Sequence, residues 1–275
     1  MTPRDKAISF LDRQGRPLDA ALTRYVCASG PRDAVIAELA KYQNKDGGFG
    51  RNLEVDIKAP DSQPFAARMA LHVLHVVGAN RDEPIVQHLE GWLEREQDED
   101  GCWRFSPGVY EHDLASWFKA WQFPSLNPAL DLAGAAAQIG IGSERLHSRV
   151  AALADRLASL EAVDSADFYT LLPYVEYFPW VDHPRREQYV ERIAARIEHV
   201  ARAGGYDDAQ HFFEHLGPRD GDLARRLPPD LIANQLDRLR AEQQDDGGWP
   251  TPYDQAWGSW ATATNAITLQ QYKAD

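Results

Sequence analysis

Cysteine is almost absent: Cys27 and Cys102 are the two in 275 residues. A pair cannot build a disulfide framework or a four-cysteine zinc site. No apolar run approaches the roughly 18 residues that a membrane-spanning helix needs, and mean hydropathy is −0.50. The segment from Met1 to Lys6 lacks the apolar stretch of a secretory signal, so a soluble cytoplasmic protein without a transmembrane segment is expected. Basic charge is scarce: 29 Lys and Arg face 42 Asp and Glu, for a net charge of −13. That field repels phosphate backbones and anionic lipid heads, so nucleic acid is not an expected partner. An acidic polysaccharide would need a local basic patch, which the sequence does not offer. No P-loop, GxGxxG turn, G-x-S-x-G elbow or CxxC occurs, which argues against nucleotide-driven and α/β-hydrolase chemistry. Strand signals are sparse throughout.

Aromatic residues are plentiful, with 8 Trp, 10 Tyr and 10 Phe. So are repeats. Gln43-Asn44-Lys45-Asp46-Gly47-Gly48-Phe49 returns as Gln97-Asp98-Glu99-Asp100-Gly101-Cys102-Trp103 and as Gln243-Gln244-Asp245-Asp246-Gly247-Gly248-Trp249. The register never slips: Gln, then Asp, Gly and an aromatic at fixed offsets. Each Gln closes a helical pattern, such as Val35-Ile36-Leu39-Tyr42 or Leu231-Leu236-Leu239. Gly stops the helix because positive φ costs it nothing. The Asp closes an Asx turn on nearby amides. The Gln amide can bond backbone N–H and C=O groups left open at helix ends, and the aromatic plugs the gap between neighbouring hairpins.

The spacing between the second and third copies leaves room for two degenerate units. Helices are expected there over Leu146–Leu160, Phe168–Phe178 and Arg186–Arg202, with Gly204-Gly205-Tyr206 as a worn turn. After each intact turn comes a loop and then a more apolar helix, roughly Gln63–Val77, Asp113–Gln122 and Ser259–Tyr272. Two of these have faces of small residues (Ala66, Ala67, Ala70; Ala261, Ala263, Ala266) that suit an inner ring. Ala7–Gln14, Leu18–Val26 and Asp131–Gln138 also read as helix, whereas Tyr206–Leu227 is polar and expected to be irregular. The fold class is therefore all-α: an α/α toroid of about five to six helix hairpins in one domain, residues 1–275.

The turns resemble the QW motif of the prenyltransferase and squalene-oxidase repeat, found in squalene-hopene cyclases, other class II terpene cyclases and protein prenyltransferase β subunits. The chain from Ile8-Ser9-Phe10-Leu11 onward looks like a short, single-toroid bacterial form. The resemblance implies a terpenoid-cyclase-like toroid with a central cavity. The cyclases' DxDD acid motif does not occur. Asp100-Gly101-Cys102 fits the short D-x-C pattern of the prenyltransferase zinc site, yet it lies inside a repeat turn and not at the start of an inner helix.

Three segments follow equivalent turns and would converge on one mouth of a ring. The first carries Glu54, Asp56 and Asp61. Crowded carboxylates raise one another's pKa, and a carboxyl kept protonated can act as general acid. The same trio could hold Mg²⁺ and a diphosphate, or Asp61 could cap the helix ahead of Pro64. The second segment carries His112 and Asp113, which could exchange protons, with Asp113 as an alternative helix cap, followed by Trp117 and Trp121. The third offers Tyr253, Asp254, Trp257 and Trp260. Glu54, Asp56, Asp61, His112 and Asp113 are thus the catalytic candidates. The tryptophans, Tyr253 and Asp254 are the substrate-binding ones, with tryptophan π faces able to stabilise a cation.

His211-Phe212-Phe213-Glu214-His215 matches the inverted zinc-peptidase pattern H-x-x-E-H, but no third ligand is indicated, and no metal site is assigned. His72 and His75 read as cavity or core residues. The expected function is acid-initiated chemistry on an isoprenoid or other small apolar ligand in an aromatic-lined cavity, with Mg²⁺ as the conceivable cofactor. A carbohydrate-active enzyme, either polysaccharide lyase or glycosidase, and a non-catalytic binding or scaffold protein are the alternatives. The sequence leaves the oligomeric state open.

Overall fold

The repeated turns are the organising joints of the structure, a computed structural model that describes residues 1–274. At each, the Asp side chain accepts from the amide two residues on: Asp46 from Gly48 (3.0 Å), Asp100 from Cys102 (3.1 Å) and Asp246 from Gly248 (3.0 Å). Each Gln donates its amide to a carbonyl in the first turn of another helix: Gln43 to Ile85 (2.9 Å), Gln97 to Leu146 (3.1 Å) and Gln243 to Pro3 (2.8 Å). An arginine from that same helix returns a bond to the Asp carbonyl: Arg95 to Asp46, Arg156 to Asp100 and Arg13 to Asp246. Where the aromatic is Trp, its indole N–H reaches back to the preceding helix, Trp103 to Leu93 and Trp249 to Leu239. Each such bond contributes roughly 1 kcal/mol net, and leaving its buried partner unmet costs more.

The glycine of each turn does more than end a helix. Gly47, Gly101 and Gly247 have φ of +94°, +91° and +97°. A Cβ on them would sit 2.2 Å from the His88 carbonyl, 2.5 Å from that of Arg149 and 2.3 Å from that of Lys6. Close backbone approach to the next helix therefore demands glycine there, in addition to the positive φ.

The elements are helices: α1 (Pro3–Gln14), α2 (Pro17–Ala28), α3 (Arg32–Ala40), α4 (Pro64–Val76), α5 (Pro84–Glu96), α6 (Ser116–Lys119), α7 (Leu126–Gln138), α8 (Glu144–Leu157), α9 (Leu160–Ser165), α10 (Phe168–Tyr177), α11 (Arg186–Arg202), α12 (Ala209–Leu216), α13 (Asp222–Arg226), α14 (Pro229–Ala241) and α15 (Gly258–Gln271). Short 3₁₀ helices span Pro107–Glu111 and Gln255–Trp257. Among the described residues there is no strand, only the isolated bridges Gln43–Phe49 and Ile57–Leu114. Among the described residues no helix is long and apolar enough to cross a membrane.

The chain divides into two compact units. The first comprises residues 1–38, 166–171 and 187–275. In it α15 packs on α1 and α2, and α12 packs on α14 and α15. The worn turn after α11 keeps one link, since Arg238 of α14 donates to the carbonyls of Tyr206 and Asp207. The second unit comprises residues 39–165 and 172–186, with α7 packed on α4 and α8. α4 and α7 are almost wholly buried.

Two expectations need correction. The helix expected over Asp113–Gln122 shrinks to α6, four residues long. The chain before it is extended, bonding Lys58 N–H to the Asp113 carbonyl and Ala115 N–H to that of Asp56, and Pro124 beyond it disfavours helix at Phe123. The stretch Tyr206–Leu227 is not irregular: it holds α12 and α13. Asp208 caps α12 through the His211 amide, and Ala209, Phe212, Phe213 and Leu216 give it a buried apolar face.

Candidate functional site

The first two predicted segments meet in the second unit. Asp61 and His112 approach to 3.8 Å, both about 41% exposed. Asp113 pairs with Lys58 at 3.1 Å, also in solvent. Surface pairs of this kind contribute little. Neither aspartate caps a helix: Gln63 is the N-cap of α4, accepting from the Phe65 amide at 2.7 Å, and no side chain caps α6. Glu54 is buried and Asp56 half-buried. Trp121 packs against a core of Ile57, Phe65, Phe105, Leu114 and Phe118, stacking on Phe118 at 5.5 Å, while its N–H meets Ser125. Trp117 is 52% exposed. Among the described residues no three His, Cys, Asp or Glu side chains are placed to hold a metal ion. The acidic trio therefore does not fit Mg²⁺.

The third segment lies in the first unit. Asp254 caps the 3₁₀ helix Gln255–Trp257 by accepting from the Ala256 amide. Trp257, half-buried, ends that helix. Trp260 lies under the Arg16 guanidinium at 6.0 Å, which also pairs with the buried Asp19. Tyr253 has a polar setting: its hydroxyl lies 2.7 Å from His211 Nε2 and 2.6 Å from the Tyr169 hydroxyl. His211 Nδ1 is 2.6 Å from Asp208. His215, the other histidine of the H-x-x-E-H pattern, has Nδ1 against the Tyr206 hydroxyl and Nε2 against the Phe168 carbonyl. All four ring nitrogens of the pair thus face protein groups.

Sequence reasoning missed the most buried charge in the second unit. Arg68 and His72, one turn apart on α4, meet Asp131 of α7 and Glu176 of α10. Arg68 lies 3.1 Å from Glu176 and 3.5 Å from Asp131, and His72 lies 3.3 Å from Glu176. Gly134 makes the arrangement possible: a Cβ there would sit 1.8 Å from the Glu176 carbonyl, so α7 and α10 touch backbone to backbone. Asp131 is fully buried, and neither of its oxygens accepts a hydrogen bond within the fold. Burial, reinforced by the Glu176 charge, pushes its carboxyl up to about 7 against the pull of Arg68. Burial also opposes ionisation of Glu176, but His72 and Arg68 together outweigh it and hold that group below the usual carboxylate range. Burial and the neighbouring His72 lower His75. The signal was available: single charges stand in the apolar stretches Leu130-Asp131-Leu132-Ala133 and Tyr174-Val175-Glu176-Tyr177, where an unpaired ion would be costly.

No protein-family model matches the chain, and no curated protein does. The chain is similar to the crystal structure of a protein from Actinoplanes, with a TM-score of 0.59 over 99% of this chain and 98% of that one, at 15% identity. This likeness is one of fold alone.

Proposed function

We propose that the protein is an α/α toroid of the QW-repeat kind that carries out acid–base chemistry on an apolar ligand of the isoprenoid class. The ring is supported by the third turn, which ties α14 to α1 through the same Gln and Arg bonds that tie α3 to α5 and α5 to α8. The chemistry rests on one observation: the chain His72–Glu176–Arg68–Asp131 joins three helices and pushes the affinities of two carboxyls for a proton in opposite directions. Carboxyls perturbed in this way cluster where a protein handles protons.

Within this reading His72, its side chain 30% exposed, is the proton-transfer group. Glu176, 3.3 Å from Nε2, orients its ring. Arg68 and the sealed Asp131 are positioning residues: Asp131, when protonated, leaves Arg68 to Glu176. The apolar helices α4 and α7 suit a hydrocarbon better than a sugar.

Purified protein incubated with prenyl diphosphates and with squalene, each with and without Mg²⁺, tests the reading by mass spectrometry of products and retained ligand. Conversion that His72→Gln abolishes while ligand is still retained supports it. Absence of both product and retained ligand overturns it.

A further inference from the structure

The first unit holds a second polar chain, which the proposed chemistry does not use. Its members run Asp208, His211, Tyr253, Tyr169. The inner end is closed, with the His211 side chain 7% exposed and that of Asp208 20%. The outer end is open: Tyr253 is 38% exposed and Tyr169 56%. Phe168 packs edge-on against the imidazole at 4.4 Å, which fixes the ring's plane.

The balance of donors and acceptors sets what the open end can do. Asp208 accepts from the His211 amide (2.8 Å) and faces Nδ1, so Nδ1 carries a proton. The Tyr169 hydroxyl donates to the Tyr253 oxygen. When His211 is neutral, Nε2 must accept, and the Tyr253 hydroxyl is turned inward to it. When His211 is charged, Nε2 donates to Tyr253 as well. The Tyr253 oxygen then receives two hydrogen bonds, and its own proton has no partner among the described residues and turns outward. Two incoming bonds polarise that O–H, making it a better donor.

We propose that Tyr253 and Tyr169 form an oxyanion-binding site for a small ligand bearing a phenolate or enolate oxygen, switched on by protonation of His211. The groups bearing on the imidazole are Asp208 and Asp207 before α12 and Glu214 on it, with His215 one turn further along the same helix. Tyr253 approaches from the segment before α15. Arg238 and Glu242, at the end of α14, are ion-paired to each other at 2.7 Å, and Glu242 also accepts from the Ala209 amide. Burial works against the imidazolium, but the Asp208 bond and the Glu214 charge outweigh it, so His211 titrates above its ordinary range. Burial raises Tyr253, helped by the Glu214 and Asp208 charges, which keeps the hydroxyl protonated at every pH of interest. A ligand oxyanion supplies the acceptor that the outward proton lacks, and the neutral His211–Asp208 pair behind it adds no repulsion.

The probe is 2,4-dinitrophenolate, which stays ionised across neutral pH, titrated into the full chain by difference absorbance. 1,3-Dinitrobenzene, which lacks the oxygen, is the control for ring stacking. Binding at least tenfold tighter at pH 5.5 than at pH 8.5 is expected. Tyr253→Phe should weaken it about tenfold at pH 5.5, and His211→Gln should abolish the pH dependence. Thermal melting confirms that each variant is folded. Equal binding of 1,3-dinitrobenzene, a pH-independent affinity, no binding at all, or an unchanged Tyr253→Phe overturns the assignment.

Discussion

Replacing Asp131 by Asn should make the protein more stable at neutral pH while removing a charge that sits beside an arginine. The sign follows from linkage. In the unfolded chain this carboxyl ionises near 3.8; in the fold it ionises near 7. Between these values the folded state holds a proton that the unfolded state has lost, so stability falls as pH rises from about 4 to 7 and is level above. The full difference corresponds to on the order of 4 kcal/mol. Arg68 is 21% exposed, so water reaches the rim of the cluster, and we expect about half of that. The amide cannot ionise and fills the same volume, so the variant's contribution from this position should be flat over the range. Glu176 has the opposite sign: held low by His72 and Arg68, it contributes stability above 4.5 that is lost as pH falls through about 2. Urea unfolding at half-unit steps from pH 4 to 8.5 reads the Asp131 effect across its whole window and the onset of the Glu176 loss at the acid end. The Asp131→Asn variant should match the native protein near pH 4.5 and exceed it by about 2 kcal/mol at pH 8. Parallel curves, or a less stable variant at pH 8, would mean that Arg68 outweighs burial and that Asp131 is ionised in the fold.

Two predictions concern the joints. Gly247→Ala places a methyl group against the Lys6 carbonyl at positive φ; it should cost about 3 kcal/mol or more, read by urea unfolding, whereas Gly78→Ala, with open space at its own positive φ, should cost only about 1. Trp103→Phe keeps the plug but strands the buried Leu93 carbonyl. A loss of about 1–3 kcal/mol is expected, and no loss would show that the indole bond is dispensable, as at Phe49, which has none.

Much of the fold was legible because its joints are made by local chemistry. The Asx turns, the positive-φ glycines and the helices α4, α11 and α15 sit where periodicity and turn residues place them. What the turns bond to was not legible: Gln43, Gln97 and Gln243 each reach a carbonyl on a helix whose register only the packing defines. The site was less readable. Glu54, Asp56 and Asp61 look like a crowded acid cluster in one dimension. In space, Asp61 lies near His112 and the neighbouring Lys58 pairs with Asp113. Conversely Arg68, Asp131 and Glu176 are far apart along the chain, and only the touching backbones at Gly134 bring two of them together. Tyr253 was selected for its position after the third turn, but its partners come from α12 and from Tyr169.

The way the two units are threaded has a consequence for synthesis on the ribosome. Most of the second unit is one uninterrupted stretch, residues 39–165, so its helices can dock as they emerge. The first unit is different. α1 and α2 are made early, yet their packing partner α15 and the Gln243 anchor for Pro3 come more than two hundred residues later. Until then the apolar faces around Leu11, Leu18 and Leu22 are left without their final cover, and they are where a nascent chain of this protein would recruit a chaperone.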